Sequence, residues 1–242
     1  MKKYILLFAI LPLILLGTGC SAQNIFKAEP IDEKEVYNGR EIITKEMGDV
    51  IISVEFDGQS ENDFVYYVEI MNRSGEIILV NPAGIFAKAV DRNLSETEEY
   101  FGTMRAADPE RELMQINREK ESRKTIHSVA TGLNAAFALL SIIGNLSDDD
   151  TRNDGAKVVH DVFVWADNQA REEIDYSESM KHLESQRKFW KNEVLRKTEL
   201  KPDDSVGGLV FIPFNPEIKF LRLTVPAGNL KFDFYFKQIQ VE

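Results

Sequence analysis

A single cysteine in 242 residues, Cys20, excludes several chemistries at once. The chain forms no internal disulfide, no cysteine-based zinc site and no Cys-x-x-Cys redox pair. Histidine is nearly as scarce, with His127, His160 and His182 the full complement. No His-Glu-x-x-His and no Gly-x-Ser-x-Gly occurs, so neither a zincin nor a serine hydrolase is indicated, and no motif calls for a cofactor. Positive charge is in deficit: 29 Lys and Arg stand against 40 Asp and Glu, a formal charge of −11. That argues against a nucleic-acid partner, because phosphate binding draws on clustered cations, and it disfavours docking onto anionic lipid headgroups. With 43% hydrophobic residues the composition is neither that of a disordered chain nor that of collagen.

The N-terminus carries the explanation for the one cysteine. Lys2 and Lys3 precede a run, 4–16, that is apolar except for Pro12 and the hydroxyl of Tyr4, and Gly17-Thr18-Gly19 follows. A positive patch, a short apolar core and small residues describe a secretory signal over residues 1–19, and the core is too short to span a bilayer as a helix. Leu16-Gly17-Thr18-Gly19-Cys20 resembles the lipobox of bacterial lipoproteins, with Gly17 where that motif usually has Leu. The resemblance implies cleavage before Cys20, acylation of its sulfur and a membrane anchor through that lipid. Ser21 after the cysteine, rather than Asp, implies the periplasmic face of the outer membrane in the cell envelope.

Residues 20–38 read as a polar tether, with Pro30 and the charge run Asp32-Glu33-Lys34-Glu35. From residue 39 the period changes to two. Val50, Ile52, Val54 and Phe56 share one face, Phe64, Tyr66, Val68 and Ile70 another, and turns rich in Gly, Asn and Pro separate these runs from three more, one from Glu41 and two before residue 93. The β pattern stops at Ser95 and resumes near Val194. The C-terminal part adds four strands, the last with Leu230, Phe232, Phe234 and Phe236 inward against Lys231, Asp233 and Lys237. Nine strands, five before the interruption and four after, predict an antiparallel sandwich.

The interruption, 94–193, is helical in pattern. Asp108-Pro109-Glu110 supplies an N-cap, a first-turn proline and acids, and a helix starting there runs unbroken to Leu146. It is charged over 110–124, while 125–146 holds no acid, Lys, Arg or Pro. After an acidic turn a second helix is expected over 156–192, apolar first and charged second. Folded back on each other, the two pair apolar with apolar near the turn and charged with charged near the sandwich.

The segments 37–93 and 194–241 resemble the immunoglobulin-like domains of unknown function found in bacterial extracytoplasmic lipoproteins. The residues that carry this are Tyr67-Val68-Glu69-Ile70-Met71-Asn72 with Asn81-Pro82, and 200–211, which includes Val206-Gly207-Gly208-Leu209. The resemblance implies an α+β chain: an immunoglobulin-like antiparallel β-sandwich, 39–93 plus 194–242, interrupted by a long helical-hairpin insertion. It brings no catalytic residues.

Few clusters suggest a site. Asp150, Asp154 and Asp161, with Gly155 between them, have part of the spacing of a calcium loop, but Arg152 stands where an oxygen ligand belongs, so no metal is predicted. Asn72, Asn93 and Asn145 begin glycosylation sequons, which mean little in a bacterial lipoprotein. Ser128, Gly132 and Ala136 recur every four residues, with Phe137 beside them, and a stripe of small residues lets a second helix approach closely. These four are the interaction candidates. The expected function is a non-enzymatic, lipid-anchored binding or scaffolding module with a protein partner. The alternatives are a hairpin that self-associates or enters membrane, and, more weakly, an envelope hydrolase.

Overall fold

The computed structural model describes residues 25–60, 62–96, 102–146 and 154–241, and side chains everywhere in these except 132–170. Two antiparallel sheets face each other. One holds β2 (Glu35–Tyr37), β3 (Arg40–Met47), β4 (Val50–Gln59), β5 (Asp63–Asn72) and β10 (Ser205–Pro213) in the order β10-β5-β4-β3-β2. The other runs β1-β12-β11-β6-β9, with β7 (Phe86–Ala89) on β11 and β8 (Thr103–Arg105) on β7. Here β1 is Ile25–Pro30, β6 Ile78–Val80, β9 Thr198–Leu200, β11 Phe220–Ala227 and β12 Leu230–Val241. Helices α1 (Pro109–Leu146) and α2 (Asp154–Asn192) lie between β8 and β9 in the chain.

The alternating positions meet in the middle as the pattern requires. Val50, Ile52 and Val54 of β4, Phe64, Tyr66, Val68 and Ile70 of β5, and Phe232, Phe234 and Phe236 of β12 are buried and belong to one core. Burying each such side chain contributes about 1.5–3 kcal/mol, and Phe56, Phe64, Tyr66 and Phe236 add edge-on or tilted ring contacts. Phe56 itself is only half-buried, though packed against this core, and β4 slips register just after it, between Phe56 and Gly58.

Three expectations are corrected. The described residues form twelve strands, eight before the helices and four after, rather than nine split five and four. The added ones are β1, β2 and β8; β2 and β8 have three residues each, too few for a period of two to register. The stretch 20–38, expected as a tether, enters the fold at Ile25: β1 pairs with β12 from Ile25↔Val241 to Pro30↔Phe236, and Ala28 is completely buried. Ala28 offers little apolar signal, and Pro30 is tolerated because β1 is an edge strand with no partner on its far side. The β pattern, expected to resume as a strand near Val194, does so only at Thr198, after a single bridge from Val194 to Leu209.

Candidate functional site

Both helices are rooted on the same edge strand. Ala107 donates its N–H to the Phe211 carbonyl at 3.0 Å on the way into α1, and Ala106 donates to Ile85 at 2.9 Å. On the way out of α2, Glu193 accepts from the Leu209 N–H at 2.8 Å and the Leu195 N–H donates back to the Leu209 carbonyl at 3.0 Å. Residues 209 and 211 of β10 thus have their outward backbone groups satisfied by the two legs, which closes an edge that would otherwise be open. Gly208 makes this approach possible: a Cβ there would sit 2.5 Å from the Leu195 nitrogen. Phe189 and Trp190 of α2 pack on Phe211 at ring distances of 6.0 and 5.4 Å, and Arg196 forms a two-bond fork with Glu110, 2.7 Å in each arm. Asp108 caps α1 as its sequence predicts, its side chain accepting from the Glu110 N–H at 3.0 Å.

Above these roots, among the described residues, the main contact of each helix is with the other. The contact steps outward along both at once, Glu110 with Arg196, Lys120 with Glu184, His127 with Tyr176, so the two run in opposite directions. Ile116 and Leu183 are buried, and Lys120, His127 and Ala130 of α1 and Tyr176, Met180 and Arg187 of α2 are half-buried at spacings of three and four, one stripe per helix. The stripe turns polar with distance from the sheets. The Lys120 ammonium donates to Glu184 and holds that carboxyl below the usual range. His127 lies flat on the Tyr176 ring, 3.9 Å between centroids and 8° between planes, with Nε2 3.2 Å from Glu173.

Beside the stripe runs an open groove of about 370 Å³. Arg123, Ile126, His127 and Ala130 line it from α1, and Glu172, Asp175, Tyr176 and Ser179 from α2, the same i, i+3, i+4, i+7 spacing on both sides. Apolar side chains stand off the stripe here: Ile126 is 65% exposed, Val129 55% and Ile174 56%. In the outer part of the contact Lys120, His127 and Tyr176 therefore stand between the helices beside Ala130 and Met180, while Ile126, Val129 and Ile174 face water.

The sequence-derived candidates fall unevenly on this geometry. Ser128 is exposed and its hydroxyl donates to the Thr125 carbonyl of its own helix at 2.9 Å. Gly132, Ala136 and Phe137 lie in α1 and Asp154 and Asp161 in α2, with side chains outside the described residues; Cys20 and Asp150 lie outside them entirely. His160 likewise has no described side chain, and His182 meets Gln186 one turn along its own helix. Among the described residues no group of His, Cys, Asp or Glu is arranged to hold a metal ion, and no helix is long and apolar enough to cross a membrane.

A second, smaller cavity of about 240 Å³ opens at one end of the sandwich, where Glu41, Glu55 and Asp57 converge with Lys27 and Arg40. Glu41 accepts from Lys34 and from Lys27, and the Lys34 bond above all keeps its carboxyl below the ordinary value. Burial pushes the Glu55 carboxyl up, opposed by Arg40 at 3.3 Å. Each of these two carboxylates has a cation from a neighbouring segment, so ion pairing accounts for both.

Nothing in the sequence marked the groove, because its α2 wall, Glu172, Asp175, Tyr176 and Ser179, reads as a solvated helix face. No protein-family model matches the chain, and comparison with curated proteins and with solved structures gives no match.

Proposed function

We propose that this chain is a lipid-anchored protein of the bacterial cell envelope, acting as a binding or scaffolding module rather than as an enzyme. In this reading an immunoglobulin-like sandwich serves as the base and a helical hairpin, α1 and α2, is the binding element. The observation that carries it is the exposure of apolar side chains along the hairpin: Ile126, Val129 and Ile174 are held out to solvent while Lys120, His127 and Tyr176 share the contact stripe with Ile116 and Leu183. Apolar side chains exposed on helices that stand clear of the sheets favour a partner surface. The sandwich reading is supported by two facing antiparallel sheets, an architecture that commonly presents recognition elements, and the anchor by the lipobox-like run ending at Cys20.

The test is photo-crosslinking in living cells with a photoreactive residue at Ile126, Val129 or Ile174, and at Lys231 and Lys237 on the outside of β12 as comparison. Specific adducts are expected from the helical positions alone. Adducts from β12 with none from the helices would overturn the assignment of the binding element. Cys20→Ala is expected to release the protein from the membrane fraction and abolish incorporation of labelled fatty acid; unchanged labelling would remove the anchor.

A further inference from the structure

We infer that the end of the sandwich where β1 meets the last residues of β12 rests on the surface of the bilayer that holds the lipid of Cys20. The inference rests on that anchor and goes beyond it: the folded domain is mounted on the membrane instead of being held away from it. Only Ser21, Ala22, Gln23 and Asn24 separate Cys20 from Ile25, where β1 begins. Whatever path they take, the five Cα-to-Cα steps span at most about 18 Å, and the polar layer over the hydrocarbon takes up about 5–8 Å of that reach. From Leu230 to Val241, β12 measures about 37 Å. The leash is shorter than the sandwich it holds.

β1 supplies no slack. It pairs with β12 over its whole length, from Ile25↔Val241 to Pro30↔Phe236. The Phe26 N–H donates to the Gln59 side chain at 2.6 Å, and the Phe26 ring packs on Phe214 at 4.9 Å. Just beyond the strand, Asp32 accepts from the Tyr235 N–H at 2.8 Å and pairs with Lys45 at 2.9 Å.

The surface at this end suits lipid. Ile25 and Val241 stand directly opposite each other and are 59% and 46% exposed, and half-buried Ile239 is next on the same side of β12. These three form an apolar patch at the point from which the chain runs to Cys20. Such a patch is a weak contact by itself, but the anchor makes it intramolecular and keeps the bilayer at high effective concentration. Any soluble occupant would compete with lipid already within reach. The excess of acids over bases favours a neutral lipid surface over an anionic one.

The experiment takes the full acylated chain in phosphatidylcholine vesicles. A fluorophore is attached through Gln240→Cys, beside the patch, or through Asn229→Cys, in the turn at the far end of β12; the acylated sulfur of Cys20 does not take up the dye. Lipids with a nitroxide on the headgroup act as quencher. Quenching is expected at the Gln240 site and not at the Asn229 site, and Ile25→Asp or Val241→Asp is expected to abolish it, with circular dichroism showing that the fold is kept. Equal quenching at both sites, none at either, or quenching that survives both aspartate variants would overturn the inference. The anchor is read separately, by flotation with the vesicles and by incorporation of labelled fatty acid, and in those three cases it stands. A chain that takes up no fatty acid removes the anchor and this inference together.

Discussion

The side-chain amide of Asn72 donates to the Leu200 carbonyl at 3.0 Å, tying the end of β5 in one sheet to the end of β9 in the other. The same amide donates to the Glu76 carbonyl at 2.7 Å, and its oxygen accepts from the Ser74 N–H and hydroxyl at 3.0 and 2.6 Å. The Asn72 backbone completes the junction, donating to Asp204 and accepting from Asp203 at 3.0 and 2.7 Å. With the residue completely buried, removal of the side chain strands several backbone partners. Asn72→Ala is expected to cost about 2–4 kcal/mol in denaturant unfolding. Asn72→Asp, which keeps the acceptor and loses both donors, is expected to cost nearly as much, so a loss confined to the alanine variant would contradict this account.

Adjacent glycines of β10 should respond very differently to the same substitution. At Gly207 an added Cβ meets the Tyr67 hydroxyl at 2.6 Å, the far end of a half-exposed side chain that can swing aside. At Gly208 it meets the Leu195 backbone at 2.5 and 2.8 Å, where α2 is locked to the sheet. Gly208→Ala is expected to destabilise by about 2 kcal/mol or more and Gly207→Ala by under about 1 kcal/mol. Equal midpoints in thermal melts of the two variants would show that the close approach at Leu195 is unimportant.

These positions show what a sequence does and does not make legible. Long strands with bulky residues on one face, β4, β5 and β12, are unambiguous, and so is the start of α1 at Asp108-Pro109. The strand β2 was missed although Asn38 and Gly39, both in the left-handed region at φ 51° and 80°, make the tight turn into β3; that dipeptide was the available signal. β1 leaves less trace, because its one fully buried side chain is an alanine. The groove depends on which face of each helix meets the other. Lys120 and His127 hold that position by ion pairing and ring stacking, which a hydrophobic pattern does not record.

Tyr66 is a place where a polar group sits in the core without a partner. Its ring packs on Phe56 and Phe236, while its hydroxyl is buried and makes no hydrogen bond, and burial pushes the phenol far above its ordinary range. An unsatisfied buried hydroxyl costs about 1–3 kcal/mol. Tyr66→Phe keeps the ring and removes that cost, so it is expected to leave stability unchanged or raise it by up to about 1 kcal/mol. Tyr66→Ala, which opens a cavity, is expected to lose about 3–5 kcal/mol. A clear loss in Tyr66→Phe would mean that the hydroxyl has a partner, such as a buried water.

Glu41 and Glu55 line one cavity with opposite displacements from the ordinary value of 4.5, and should shape the pH dependence of stability in opposite senses. The lowered Glu41 carboxyl stabilises the fold when ionised, so its contribution is present above its unfolded value and is lost as pH falls through the folded one. Glu41→Gln is therefore expected to cost about 0.5–1 kcal/mol near neutrality, discounted for its exposure, with no difference from wild type once both forms are protonated. The raised Glu55 carboxyl favours the protonated form in the fold. Its contribution is complete below the unfolded value and is lost as pH rises through the folded one. Glu55→Gln mimics the protonated acid, so it should match wild type in acid and become relatively more stable as pH rises to neutrality. Chemical denaturation of wild type and both variants across pH 3 to 8 reads the two trends directly. If Glu55→Gln instead loses stability near neutrality, the bond to Arg40 outweighs burial, and the direction assigned to that carboxyl is wrong.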